Sequence, residues 1–104
     1  MKHIEQYIIT TLTQEGIIMA LNRRVCRPLA EVVDHSAFDF VAKRDRIKLQ
    51  EAITRANEQI ETTDLVLQLE LSPGLRPRRL SLTLCPITIE ASSRCRLMAA
   101  GRLL

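Results

Sequence analysis

Hydrophobic spacing changes period several times along the chain, and each change marks an element. Residues 7–12 are rich in Ile and Thr, β-branched types that suit a pleated strand. Thr13-Gln14-Glu15-Gly16 is a polar break ending in the residue that turns most freely, so a hairpin turn is expected there. Residues 17–21 read as a second short strand, apolar enough to be buried on both faces, and the two pair as an antiparallel hairpin. Residues 22–40 are mixed and predict short helical turns with little regular structure. Asn22 can cap a short helix, Pro28 limits any helix before it, and Asp34-His35-Ser36 reads as a turn or cap.

The clearest helix spans residues 45–60. Leu49, Ala52, Ile53, Ala56 and Ile60 recur at three- and four-residue steps, while Lys48, Glu51, Arg55 and Glu58 lie off that face. Residues 63–71 then switch to period two. Leu65, Leu67, Leu69 and Leu71 point one way and Val66, Gln68 and Glu70 the other. Ser72-Pro73-Gly74 supplies turn chemistry, and residues 79–83 alternate again, with Leu80, Leu82 and Leu84 opposite Arg79, Ser81 and Thr83. Pro86 requires the strand to bulge, bend or lie at an edge, and Ile87 and Ile89 continue it. Ala91-Ser92-Ser93 is a loop. Residues 94–104 form a weaker final strand with Cys95, Leu97 and Ala99 on one face.

Strands with one apolar face imply an antiparallel sheet covered on that face by helices, an α+β fold with five strands. At 104 residues the chain is one domain. Folding at this length buries roughly two thirds of the unfolded surface, enough for one core without staples. With 46% hydrophobic and 26% charged residues, disorder is excluded. Only Tyr7, Phe38 and Phe40 are aromatic, so Leu, Ile, Val and Ala must build the core. The same scarcity argues against single-strand nucleic-acid binding, where bases stack on aromatic rings.

Net charge is +3, and Arg dominates the cations. They fall in clusters at 23–27, 43–48, 76–79 and 94–96, with acids interleaved, which describes a solvated surface. A phosphate-binding stripe would require these clusters to converge in space. Three cysteines, Cys26, Cys85 and Cys95, without a C-x-x-C spacing, argue against a disulfide framework or zinc site and fit a reducing cytoplasm. The start of the chain has no signal-peptide pattern, and the longest clean apolar run, residues 17–21, is far short of a membrane span.

Three phrases, in this order and spacing, resemble a PAS domain. Gly16-Ile17-Ile18-Met19-Ala20-Leu21-Asn22-Arg23-Arg24 is similar to the family's second strand with its following Asn. Ser36-Ala37-Phe38-Asp39-Phe40-Val41, then Asp45-Arg46, resembles the lead into its long helix. Leu69-Glu70-Leu71, the Pro73-Gly74 turn and 80–87 with Pro86-Ile87 are similar to its central hairpin. The resemblance covers about residues 7–103. It departs in the short stretch after Asn22, in Asp34 and His35 where Gly is frequent, and in the absence of the amphipathic helix that often precedes the first strand. It implies a single PAS-like domain over 1–104, expected to be a fragment of a larger signalling protein. Such a domain is a non-catalytic sensory and dimerisation module. It relays signals to a flanking output domain: a histidine kinase, a diguanylate cyclase or a transcriptional regulator.

Specific chemistries suggested by the resemblance find little support in the residues. Val25-Cys26-Arg27-Pro28 is superficially similar to the flavin-reactive motif of light-sensing relatives, but it falls directly after the second strand, too early, and lacks the polar flavin partners. Haem in this fold takes a His on the long helix, and residues 45–60 contain none. Asp34, His35 and Ser36 are sequence neighbours and cannot readily form a catalytic triad. No phosphate-binding glycine loop is present. No cofactor, metal or catalytic residue is therefore expected. A small apolar ligand could lie between sheet and helix, lined by Ile18, Leu49, Ile53, Leu67, Leu69, Leu82 and Leu84, although these side chains can also fill that space themselves. A homodimer is expected through the outer sheet face at Val66 and Gln68.

Overall fold

The computed structural model describes residues 7–22, 29–59, 61–70, 76–87 and 95–104. Five strands make one antiparallel sheet: β1 (Tyr7–Thr13), β2 (Ile18–Leu21), β3 (Thr63–Leu69), β4 (Arg78–Pro86) and β5 (Cys95–Leu103). Their spatial order is β2-β1-β5-β4-β3. One helix, α1 (Arg46–Gln59), packs over β3, β4 and β5. Three 3-10 turns, Leu29–Glu31, Ala37–Phe40 and Lys43–Asp45, carry the chain from β2 to α1. This is the α+β arrangement that the alternating strands imply. The expected helix after Asn22, the Ser72-Pro73-Gly74 turn, the 91–93 loop, and Ile60, Leu71 and Ile89 lie outside the described residues, as do Cys26 and the Cys95 side chain.

The β1–β2 turn closes on Gly16, whose φ of +92° suits a residue without a Cβ. A Cβ there would also press on Phe38 and Ile53, at 3.1 and 3.3 Å. Thr13 locks the turn. Its N–H donates to the Ile17 carbonyl (2.9 Å), and its hydroxyl oxygen accepts the Ile17 N–H (3.1 Å). The expectation that residues 17–21 are buried on both faces is corrected. β2 is a short edge strand in which Ile18 is buried, Met19 half-buried and Ala20 exposed. Ile17 forms an isolated bridge with Ser36 instead. Asn22 grips β1: its amide oxygen accepts the Ile9 N–H (2.8 Å) and its NH₂ donates to the Tyr7 carbonyl (3.1 Å).

Helix α1 buries Leu49, Ala52, Ile53 and Ala56, the face that the spacing defines. It starts one residue later than expected because Asp45 belongs to the preceding 3-10 turn. There its Oδ2 accepts the Gln68 N–H of β3 (2.8 Å). Leu67 and Leu69 from β3, with Leu80, Leu82 and Leu84 from β4, face the helix side as their alternation predicts. Pro86 is accommodated at the end of β4 without loss of a ladder bond. The Ile87 N–H donates toward β5, to the Arg96 carbonyl, so the Pro86 nitrogen faces β3, whose pairing has already ended at Thr63 opposite Leu84.

The final strand forms where residues 94–104 are expected to form one, with Leu97 and Ala99 on its buried face, but its place in the sheet is not announced by its pattern. β5 is the centre of the sheet, paired along its length with both β1 and β4. Burial on one face and two neighbours, rather than a strong alternating pattern, hold it there: Leu97, Ala99 and Gly101 are buried. At the far side, the edge of β3 is covered by its own chain. Ala42 N–H donates to the Gln68 carbonyl (2.9 Å) and Glu70 N–H to the Phe40 carbonyl (2.8 Å), which blunts an otherwise open edge.

Candidate ligand cavity and pairing face

The inner face of the sheet is all but closed by side chains, yet it retains a cavity of about 90 Å³. Gly101 is part of its lining. In β5 it lies opposite Leu82 of β4, and a Cβ there would meet Leu80 Cδ1 at 2.9 Å and Leu82 Cδ1 at 3.2 Å. The two leucines therefore lean over the bare backbone of Gly101. Phe40 and Val41, from the 3-10 turn and its C-terminal cap, close the cavity on the helix side. Ser36 sets that turn by accepting the Phe38 N–H on its hydroxyl (3.2 Å).

Of the seven residues expected to line a pocket, Ile18, Leu49, Leu67, Leu69 and Leu82 do so. Ile53 and Leu84 do not border the cavity; both are fully buried in the packed part of the core, toward the other end of α1. Eleven of the sixteen lining residues fall outside those seven, among them Phe40, Val41, Leu80 and Gly101. The first two fall in an irregular segment with no periodicity, and a glycine reads as a gap in a strand pattern, although such a gap is itself a signal of close approach.

Among the cavity-lining residues only Thr10 carries a polar side chain. Its hydroxyl is already used, donating to the Ala20 carbonyl across the β1–β2 hairpin (2.6 Å). The space thus offers hydrocarbon contact and no free hydrogen-bonding group. It suits an apolar molecule and disfavours an ion.

The outer face of the sheet is mixed. Val66 is 37% exposed and Gln68 half-buried, both near the covered edge of β3. The apolar side chains concentrate on β1 and β5 instead. Ile9 sits opposite Ala100, and Met98 opposite Thr11, with Tyr7 at the end of the same row. Tyr7, Ile9 and Met98 are each more than a third exposed. Toward β4 and β3 the face becomes polar: the Thr83 hydroxyl donates to Asp64 (2.5 Å), and Cys85 lies 3.5 Å from the Thr62 hydroxyl.

Asp34, His35 and Ser36 are occupied by backbone structure. Asp34 takes the left-handed conformation (φ +72°), His35 is exposed with its carbonyl accepting the Ile18 N–H, and Ser36 is the cap described above. No cluster of three potential metal ligands exists among the described residues, and no helix among them is long and apolar enough to cross a membrane.

No family model matches the sequence, and no curated protein matches it. Solved structures do match the fold. The PAS-B domain of Drosophila melanogaster Cycle, solved with bound ethylene glycol, gives a TM-score of 0.79 at 14% identity, over 93% of this chain and 99% of that one. A PAS domain from Colwellia psychrerythraea gives 0.76 at 12% identity, over 94% and 86%. The PAS domain of the Cronobacter turicensis RpfR quorum-sensing receptor, in complex with BDSF, gives 0.73 at 14%, over 95% and 94%. Five antiparallel strands in this order, with a helix across one face, are the PAS fold, and this chain has it.

Proposed function

We propose that this PAS-fold chain is a sensory module that admits a small apolar molecule between sheet and helix. It passes the resulting change in packing to a second copy and to a flanking output domain of the kinase, cyclase or transcription-regulator kind. The observation that carries this reading is the cavity under Leu80 and Leu82, lined without one free polar group. At about 90 Å³ it is smaller than the cavity of about 150 Å³ that holds benzene in an engineered core. A longer ligand enters by turning Leu80, Leu82 and Phe40 aside. Support comes from neighbours of the same fold: the RpfR PAS domain has been solved in complex with BDSF and with C12:0.

The test is native mass spectrometry and an absorbance spectrum of protein purified without denaturation, followed by thermal melts in a series of straight-chain alcohols. A retained mass, or a saturable stabilisation approaching about 2.7 kcal/mol at a hundred times the dissociation constant, is the expected result. A bare mass together with flat melts across the series would leave the interior as plain core and remove the ligand from this reading.

A second reading, pairing without a ligand, is favoured by the exposed Tyr7, Ile9 and Met98 on the outer face. The occupant is a second copy of this chain. Sedimentation of the Ile9→Glu/Met98→Glu variant is expected to show monomer where the parent self-associates. Truncating Val66 and Gln68 is expected to weaken association less, since they lie toward the polar side. An unchanged sedimentation profile in both would remove this face from consideration.

A further inference from the structure

We infer that the surface cleft between the start of α1 and the edge of β3 is an oxyanion site that takes a phosphate group. This stands independently of the apolar cavity, which lies on the other side of β3's backbone among Leu67 and Leu69.

The cleft encloses about 360 Å³ and is lined by Arg44, Asp45, Lys48, Val66, Gln68 and Arg79, with Leu67 behind. Its three cations come from three elements: the 3-10 turn, the first turn of α1 and β4. Two basic clusters that are far apart in the chain, 43–48 and 76–79, therefore converge here, the condition a phosphate site requires.

The single acid does not neutralise them. Asp45 Oδ2 accepts the Gln68 N–H at 2.8 Å, and Oδ1 stands 3.8 Å from Lys48 Nζ. Asp45, the one acid in the cleft's lining, is engaged by Lys48 and the Gln68 N–H, so neither guanidinium of the cleft has a carboxylate partner there. Three cations against one carboxylate leave two positive charges unbalanced, which matches a dianion. The positive end of the 14-residue α1 adds to the same field.

The backbone supplies an oriented donor. Even-numbered residues of β3 direct their N–H and C=O groups away from β4. Gln68 gives its N–H to Asp45 and accepts the Ala42 N–H on its carbonyl, and the Val66 carbonyl accepts Lys48 Nζ at 2.9 Å. The Val66 N–H points the same way, toward the cleft, and has no acceptor among the described residues. A strand N–H left open beside two unpaired guanidiniums is an arrangement that an oxyanion completes. Arg forks grip two phosphate oxygens, and the N–H fixes a third. Lys48, held on Val66, keeps donors to spare because an ammonium carries three.

The experiment is a titration of ¹⁵N-labelled protein with inorganic phosphate, and in parallel with phenyl phosphate, at constant ionic strength held with chloride. Saturable movement of the Val66 and Gln68 amide signals is expected with phosphate and not with chloride. The Arg44→Gln/Arg79→Gln variant, both positions exposed, is expected to keep a dispersed spectrum and to bind roughly tenfold or more weakly, through loss of charge-assisted hydrogen bonds. Tighter binding of phenyl phosphate identifies a phosphomonoester as the ligand, and tighter binding of inorganic phosphate a free ion; either supports the site. Non-saturating shifts in the parent protein, or equal affinity in the folded variant, would overturn it.

Discussion

The core is packed differently at its two ends. Toward the hairpin turn of β1 and β2, Ile53 and Ala56 of α1 and Leu84 and Leu97 of the sheet are buried to 2% exposure or less and do not border the cavity. Two residues along β4, at Leu82 and Leu80, the same sheet face borders a cavity whose lining includes Gly101 of the partner strand. Both ends use the same aliphatic residue types. They differ in their surroundings: at the cavity Leu80 and Leu82 lean over Gly101 of β5, and Phe40 and Val41 arrive from a non-helical turn. Hydrophobic content therefore does not distinguish the part of the interior that borders the cavity from the part that does not.

The sharpest way to probe this contrast is truncation at the closed end. Ile53→Ala removes a side chain with neighbours on every side and is expected to cost about 3–5 kcal/mol, read as a lower urea midpoint. Leu82→Ala, at the open end, loses contacts on one side only and is expected to cost about 2–3 kcal/mol while enlarging the cavity. Equal losses at the two positions would erase the distinction between the ends. Filling is the converse. Gly101→Ala drives a methyl into Leu80 and Leu82, costs about 1–3 kcal/mol as strain, and abolishes any stabilisation by straight-chain alcohols. The smallest effect belongs outside the core. Val66→Ala is expected to move stability by no more than about 0.5 kcal/mol, so a change in association there reports on the surface alone.

Much of this architecture is legible in the chain. Leu80, Leu82 and Leu84 alternate with polar residues because one face of β4 is wet. Leu49, Ala52, Ile53 and Ala56 recur at helical steps because one stripe of α1 is dry. Local periodicity carries that much and no more. It assigned Ile53 to the pocket lining along with Leu49, since both belong to the same stripe; which of them borders the cavity depends on tertiary packing that the stripe does not encode. Val32, Phe40 and Val41 enter the core from turns, where no period announces them. The placement of β5 between β1 and β4 is a long-range pairing that residues 95–103 do not signal by themselves. In the same way, Arg44 and Arg79 look like unrelated surface charges until β3 brings their elements together.

The central position of β5 has a consequence for the order of assembly. During synthesis the β1–β2 hairpin emerges first, followed by α1 with the β3–β4 hairpin, yet neither can close the sheet. Residues 7–12 must wait for residues 97–102, almost the whole length of the domain, before either hairpin gains its second neighbour. Contacts that span so much chain make for slow folding, and until they form each hairpin exposes an unpaired edge. The nascent domain is thus most vulnerable to wrong partners just before its last described strand leaves the ribosome. A chaperone or a stalled ribosome would encounter two half-sheets, which that strand alone can join.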